Sequence, residues 1–172
     1  GIETTIAGTI AGTYWFLMLI GRVAGASLAA KVSSKVMLAV ASTVGIIFVL
    51  LGIFGPLDTM VSMPVFQSDI SFGLAEVPIG VMFLVLCGLC TSVMWGGIFN
   101  LAVEGLGKYT ATASGIFMVL VCGGGILPLI QGAVADATSY LASFWVIFLG
   151  MAYLLYYALI GSKNVNKDIP VE

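Results

Sequence analysis

The sequence predicts an all-α polytopic membrane protein with five transmembrane helices, and three observations carry that expectation. Of the 172 residues, 60% are hydrophobic and a further 22 are glycine. Charged residues make up only 8%, against about 25% in a soluble domain. The six basic and eight acidic residues are also so spaced that five stretches, 4–21, 36–57, 77–103, 109–135 and 137–162, contain no charge. A helix needs about 20 apolar residues to cross the hydrocarbon layer, and these stretches supply five such runs. Strands of a transmembrane barrel would instead alternate in polarity over about 10 residues. The apolar content excludes a disordered chain. Six basic residues in a chain of net charge −2 give no footprint for nucleic acid.

The helices are expected near 5–27, 35–54, 78–103, 110–135 and 140–161. The first carries Gly8 and Gly12, then Gly21 and Gly25, each pair on one helix face where another backbone can approach. Ser33 and Ser34 mark the turn into the second helix. That helix offers no chemistry and is expected to face lipid. Gly55-Pro56 ends it. Residues 55–77 then form the longest connection, framed by Pro64 and Pro78 and expected as a loop. Its Phe66, Ile70, Phe72 and Leu74 are expected to rest at the interface if the segment is structured.

In the third helix Thr91, Trp95 and Phe99 are spaced four apart and share a face. They adjoin Ser92 and Asn100, whose polar atoms need partners inside hydrocarbon. Aromatic rings beside hydroxyl and amide groups suit a ligand that offers both hydroxyls and C–H faces. Cys87 and Cys90 have metal-like spacing. They sit in an apolar span of a chain without histidine, so packing is the expected role and no metal site is expected. The fourth helix contains Gly123, Gly124, Gly125 and Pro128, a combination that weakens a helix and invites a tightly packed bend. Aromatics near both ends of the fifth helix fit interfacial anchoring.

Orientation follows from the basic residues. Arg22, Lys31, Lys35, Lys108, Lys163 and Lys167 all fall on one side, while Glu3, Asp58, Asp69, Glu76 and Asp136 fall on the other. The positive-inside rule makes the first side cytoplasmic. The N-terminus is then outside, 55–77 is extracytoplasmic and 162–172 is a cytoplasmic tail. Without histidine or an in-span carboxylate there is no nucleophilic triad and no paired-acid site, so no enzyme activity and no cofactor are expected.

The runs Ser92-Val-Met-Trp-Gly-Gly-Ile-Phe-Asn-Leu-Ala-Val-Glu-Gly-Leu-Gly107, Thr110-Ala-Thr-Ala-Ser-Gly115, Gly123-Gly-Gly-Ile126 and Gln131-Gly-Ala-Val-Ala-Asp136 resemble helices ten and eleven of the major facilitator superfamily. The similarity is to its fucose permease and glucose/galactose transporter branch, and Tyr14-Trp15 through Gly21-Arg22 resembles the eighth helix running into its turn. Where that branch often has Pro-Thr, this chain has Gly96-Gly97. The resemblance implies helices eight to twelve of a twelve-helix bundle, a fragment whose N-terminal half lies outside this sequence. It implies bacterial inner-membrane uptake of a hexose-type sugar by cation symport, the cation expected being a proton, with coupling carboxylates in the other half. Tyr14, Met94, Trp95, Phe99 and Asn100 are then expected to line the sugar site. Arg22 is expected at the cytoplasmic gate, and Gly123, Gly124, Gly125 and Pro128 at a bending segment. A non-transporting sensor or assembly subunit of the same fold is the alternative.

Overall fold

In the computed structural model, residues 4–67 and 70–163 are described, so Glu3, Asp69 and the tail from 164 onward, including Lys167, lie outside the described residues. The chain forms α1 (Thr4–Ala29), α2 (Ser34–Phe54), β1 (Met60–Phe66), β2 (Phe72–Pro78) and α3 (Ile79–Val103). After a 3₁₀ turn at Gly107–Tyr109 come α4 (Thr110–Leu120), α5 (Gly123–Ala137) and α6 (Tyr140–Tyr156), which runs into a π-helical turn at Tyr157–Gly161. Five helical segments are long and apolar enough to cross a bilayer: Ile6–Ala29, Ser34–Phe54, Ile79–Val103, Gly107–Ala137 and Tyr140–Gly161. The protein is an all-α polytopic membrane protein.

The helix ends have local causes. Ser33 caps α2 by accepting the Val36 N–H, and Ser139 caps α6 by accepting the Ala142 N–H. Gly105 and Gly107, with φ of 77° and 47°, make the left-handed turns that take the chain out of α3. Between α4 and α5 the helix is interrupted at Val121 and Cys122, where i→i+3 bonds such as Gly124 N–H to the Val121 carbonyl (2.9 Å) replace the regular ladder. Pro128 adds to the weakness, because it cannot donate to the carbonyl of Gly124.

The core corrects the expectation for the second helix. Rather than facing lipid, α2 packs between α3 and α6 and buries Leu38, Ser42, Gly45, Val49 and Gly52. These positions recur every three or four residues along one stripe. The stripe is rich in small side chains, which lets the backbones come close: a Cβ on Gly80 of α3 would lie 2.8 Å from the carbonyl oxygen of Gly52. Leu38, Cys90, Met94, Leu101, Met151 and Ala158 form the main cluster. Of the two glycine pairs in α1, Gly21 and Gly25 abut Ser92 and Val93 of α3, whereas nothing lies near Gly8.

One buried polar atom is unsatisfied. The Ser42 hydroxyl is fully enclosed and has no hydrogen-bond partner among the described residues. Ser42→Ala removes an uncompensated donor at nearly constant volume. It is expected to leave the melting temperature unchanged or raise it, by up to about 2 kcal/mol of stability; a fall of more than a few degrees would show that the hydroxyl is partnered.

The connection 55–77 is also more ordered than a loop. β1 and β2 pair antiparallel from Met60↔Pro78 to Phe66↔Phe72. The ribbon follows a period-two pattern whose inward side is Met63, Val65 and Val77, packed with Ile6, Ile10, Tyr14 and Leu17 of α1 and Val85 of α3. Ile70, Phe72 and Leu74 are exposed on the other side. Phe66 departs from the expected interfacial set: its ring stacks on Phe16 of α1 at 5.1 Å, and the aliphatic Met63, Val65 and Val77 make the rest of the seat.

Candidate functional site

Close approach of α1 and α3 shapes the site. The two helices run parallel, with Tyr14 level with Gly88 and Gly21 level with Ser92. Their separation is set by glycines: a Cβ on Gly88 would lie 2.7 Å from the carbonyl oxygen of Tyr14. The Tyr14 hydroxyl and Thr91 Oγ1 share a hydrogen bond of 2.9 Å across the pair. Thr91 also donates back to its own helix at Cys87 or Gly88, so it acts toward Tyr14 chiefly as an acceptor.

Beyond this contact, toward the end that carries Lys31 and Lys35, a cavity of about 190 Å³ opens beside the continuing α1–α3 contact. Arg22, Gly25, Ser34, Ser92, Gly96 and Asn100 are among its lining residues. Arg22, Ser92 and Gly96 also border an adjoining cavity together with Trp95. Asn100 and Ser34 are shared with a third, more polar cavity that includes Lys35, Glu104 and Ser162. Asn100 Nδ2 reaches Ser34 Oγ at 3.4 Å, a long bond that leaves most of the amide's capacity open.

The aromatic wall is ordered by stacking. Trp95 lies parallel to Phe99 at 5.6 Å, and Phe99 meets Phe117 of α4 edge-on at 5.4 Å. Trp95 is 49% exposed, so one face of the indole is open beside Arg22 and Ser92. On α3, Ser92, Trp95, Gly96, Phe99 and Asn100 fall at i, i+3, i+4, i+7 and i+8, which is a single face. Trp95 is sixteen residues into α3, about 24 Å along its axis. The site thus lies roughly a turn beyond the helix midpoint, on the basic side.

Of the five residues expected to line the site, the structure gathers Trp95, Phe99 and Asn100. Tyr14 holds α1 to α3 about one turn away. Met94 is turned into the α2–α3–α6 core with 5% exposure, among Leu38, Cys90 and Met151. Arg22, expected at a gate, shares a cavity with Trp95. Ser34 and Gly96 join the lining without having been singled out as site residues. Gly21 and Gly25, whose spacing marks the α1 face against α3, were the available signal. Gly123, Gly124 and Gly125 lie at the α4–α5 break, and among the described residues nothing comes within 4 Å of a built Cβ on any of them. Cys87 and Cys90 are buried packing residues, and among the described residues no group of three potential metal ligands occurs.

Relatives among characterised proteins are transporters. The chain is 47% identical over 77 residues to a glucose/galactose transporter of Brucella abortus (strain 9-941), an alignment covering 45% of this chain and 19% of the relative. It is 30% identical over 160 residues to a putative glucose/galactose transporter of Helicobacter pylori (strain J99), covering 90% of this chain and 34% of the relative. It is 34% identical over 59 residues to the L-fucose-proton symporter of Escherichia coli K12, covering 34% of this chain and 14% of the relative. The chain therefore spans about a third or less of the length of these proteins. No family model and no solved structure matches it. With nearly its whole length alignable to one such transporter and its five apolar helices, the chain is homologous to these glucose/galactose transporters and the fucose symporter, which are members of the major facilitator superfamily.

Proposed function

We propose that this chain is the C-terminal portion, helices eight to twelve, of a secondary active transporter that takes up a hexose-type sugar with a proton across the bacterial inner membrane. The observation that carries the reading is the face of α3 on which an open indole, a hydroxyl and an under-used amide converge beside Arg22. An aromatic plane covers the C–H face of a pyranose, Asn100 exchanges hydrogen bonds with its hydroxyls, and Ser92, whose own proton goes to the Leu89 carbonyl, can only accept one. The relatives' names supply the substrate class and the coupling ion.

In this reading the sugar is held between this portion and the N-terminal half, and rocking of the two exposes it to each side in turn. The basic end is cytoplasmic. Arg22, at the rim of the cavity and in no ion pair among the described residues, meets a carboxylate of the other half when the inner side is closed. The α4–α5 break, with Gly123, Gly124, Gly125 and Pro128, gives the bend that such rocking needs. Equilibrium dialysis of the purified full-length protein with labelled glucose, galactose and fucose tests the reading. Saturable binding of at least one hexose is expected, and saturable binding of none rejects it.

A further inference from the structure

α4 turns one large side chain toward α3. Among the described residues its half-buried positions are Thr110, Ala113, Ser114 and Phe117, at i, i+3, i+4 and i+7, which is a single helix face. The first three are small, and the hydroxyls of Thr110 and Ser114 donate back to the carbonyls of Gly107 and Thr110, each at 2.7 Å. They bring no polar contact to α3. Phe117 is the large residue of that face, while Ile116, Met118, Val119 and Leu120 are exposed. It also stands in the last regular turn before the α4–α5 break, where its carbonyl accepts the Val121 N–H at 3.2 Å.

From Phe117 the ring contacts run in series to the indole. Phe117 meets Phe99 at 5.4 Å and 75°, and Phe99 lies on Trp95 at 5.6 Å and 1°. Among the described residues Phe99 is the one ring that touches Trp95, and the rest of the indole is open. The plane of Trp95 is therefore set by the plane of Phe99. A phenylalanine ring turns readily about χ2, so it fixes a neighbour only when its own plane is fixed. Offset-stacked and edge-on contacts are the two favoured geometries of aromatic pairs. Phe99 makes one of each, and turning it gives up both.

We propose that Phe117 of α4 is a positioning residue for the sugar site: through Phe99 it fixes the plane of the Trp95 indole against which the pyranose is set. The inference deepens the hexose reading and rests on it for the ligand; the freedom of the indole is measurable whether or not a sugar binds. Without the edge-on ring the indole samples up to three χ1 wells and two χ2 orientations. The competent one falls to about a third to a sixth of the population, and hexose affinity falls by the same factor, about three- to sixfold. Two measurements on the full-length protein test this together, using Phe117→Leu, which stays apolar and removes the ring. Phe117→Met is the second variant should the first fail to fold. One measurement is the nanosecond fluorescence anisotropy of Trp95, with every other tryptophan replaced by phenylalanine. The other is equilibrium dialysis of labelled glucose, galactose and fucose with Phe117→Leu, Trp95→Ala and the double variant.

In Phe117→Leu the amplitude of fast Trp95 depolarisation should rise by about twofold or more, as exposed side chains hop between rotamers in nanoseconds. Affinity should fall about three- to sixfold where Trp95 is present and stay unchanged where Trp95 is already alanine, because the two residues act as one unit. Unaltered Trp95 anisotropy would mean that Phe117 does not hold the indole, and would overturn the proposal. An equal loss of affinity in both backgrounds would show that Phe117 acts through packing elsewhere, and would overturn it as well. Binding of no hexose by the parent protein would reject the sugar reading, and the anisotropy would then decide by itself whether Phe117 orders Trp95.

Discussion

Gly88→Leu is expected to separate α1 from α3 and to abolish accumulation of the folded protein. At Gly88 the space a side chain would enter is occupied by main chain: the Tyr14 carbonyl oxygen is 2.7 Å from a built Cβ, and the Tyr14 ring is 3.2 Å away. A flexible side chain can rotate aside, but a carbonyl inside a helix moves only with the helix. Overpacking in well-ordered cores typically costs about 1–3 kcal/mol. A clash with backbone midway along two long helices stands at or above the top of that range, because relief requires both helices to shift. The displacement would also pull Tyr14 from Thr91, where the hydroxyl bond crosses the contact at 2.9 Å. Gly88→Ala should lower the melting temperature of the full-length protein by several degrees, with a cost of about 1–3 kcal/mol. Gly150→Ala is the control. Nothing lies within 4 Å of its Cβ, so the better helix propensity of alanine should leave stability unchanged or raise it by up to about 1 kcal/mol. Equal melting temperatures for Gly88→Ala and Gly150→Ala would mean that α1 and α3 do not meet as described.

Trp95→Ala is the second large effect, and it falls on binding rather than on folding. The indole is half exposed and stacked only on Phe99, so its removal leaves no large internal cavity. What is lost is the apolar plane that the proposed function sets against the sugar. A buried aromatic contact is worth about 0.5–1.5 kcal/mol beyond its area, and the covered area adds a similar amount. Hexose affinity should fall by about 10- to 100-fold, at 1.4 kcal/mol per factor of ten. Asn100→Ala should weaken binding by about 10-fold, because sugar hydroxyls lose a partner and stay desolvated. Met94→Leu conserves volume in the α2–α3–α6 core and should leave affinity within about twofold. Dialysis that found Trp95→Ala and Asn100→Ala binding as tightly as the parent would move the sugar site off this face.

These contrasts reflect what could and could not be read from the chain. The spans were legible because charge is costly in hydrocarbon, so Arg22, Lys35, Asp58, Glu76, Glu104, Lys108, Asp136 and Lys163 punctuate the helices by necessity. Which face of α2 turns inward was harder to see, since apolar side chains surround that helix. The small stripe of Ala41, Ser42, Gly45 and Gly52 marks its packed side more clearly than hydrophobicity does. The hairpin is harder to read from the chain, because the apolar Phe66, Ile70, Phe72 and Leu74 obscure the alternation of Val61, Met63 and Val65, and because its seat on Thr13 is a contact 53 residues away in sequence. Trp95, Phe99 and Asn100 were found through helical spacing. Met94 is next to Trp95 in sequence but about 100° around the helix, which is enough to send it into the core.

The central claim is that the face built by Trp95, Ser92 and Asn100 beside Arg22 serves proton-coupled sugar uptake in the complete protein. The measurement that tests it most directly is accumulation of labelled hexose in proteoliposomes of the full-length protein under an inward proton gradient, with Trp95→Ala in parallel. Accumulation above the external concentration, collapsing with a protonophore and reduced at least tenfold by Trp95→Ala, is the predicted result. No accumulation by the parent protein at any imposed gradient, or accumulation that Trp95→Ala leaves intact, would contradict it.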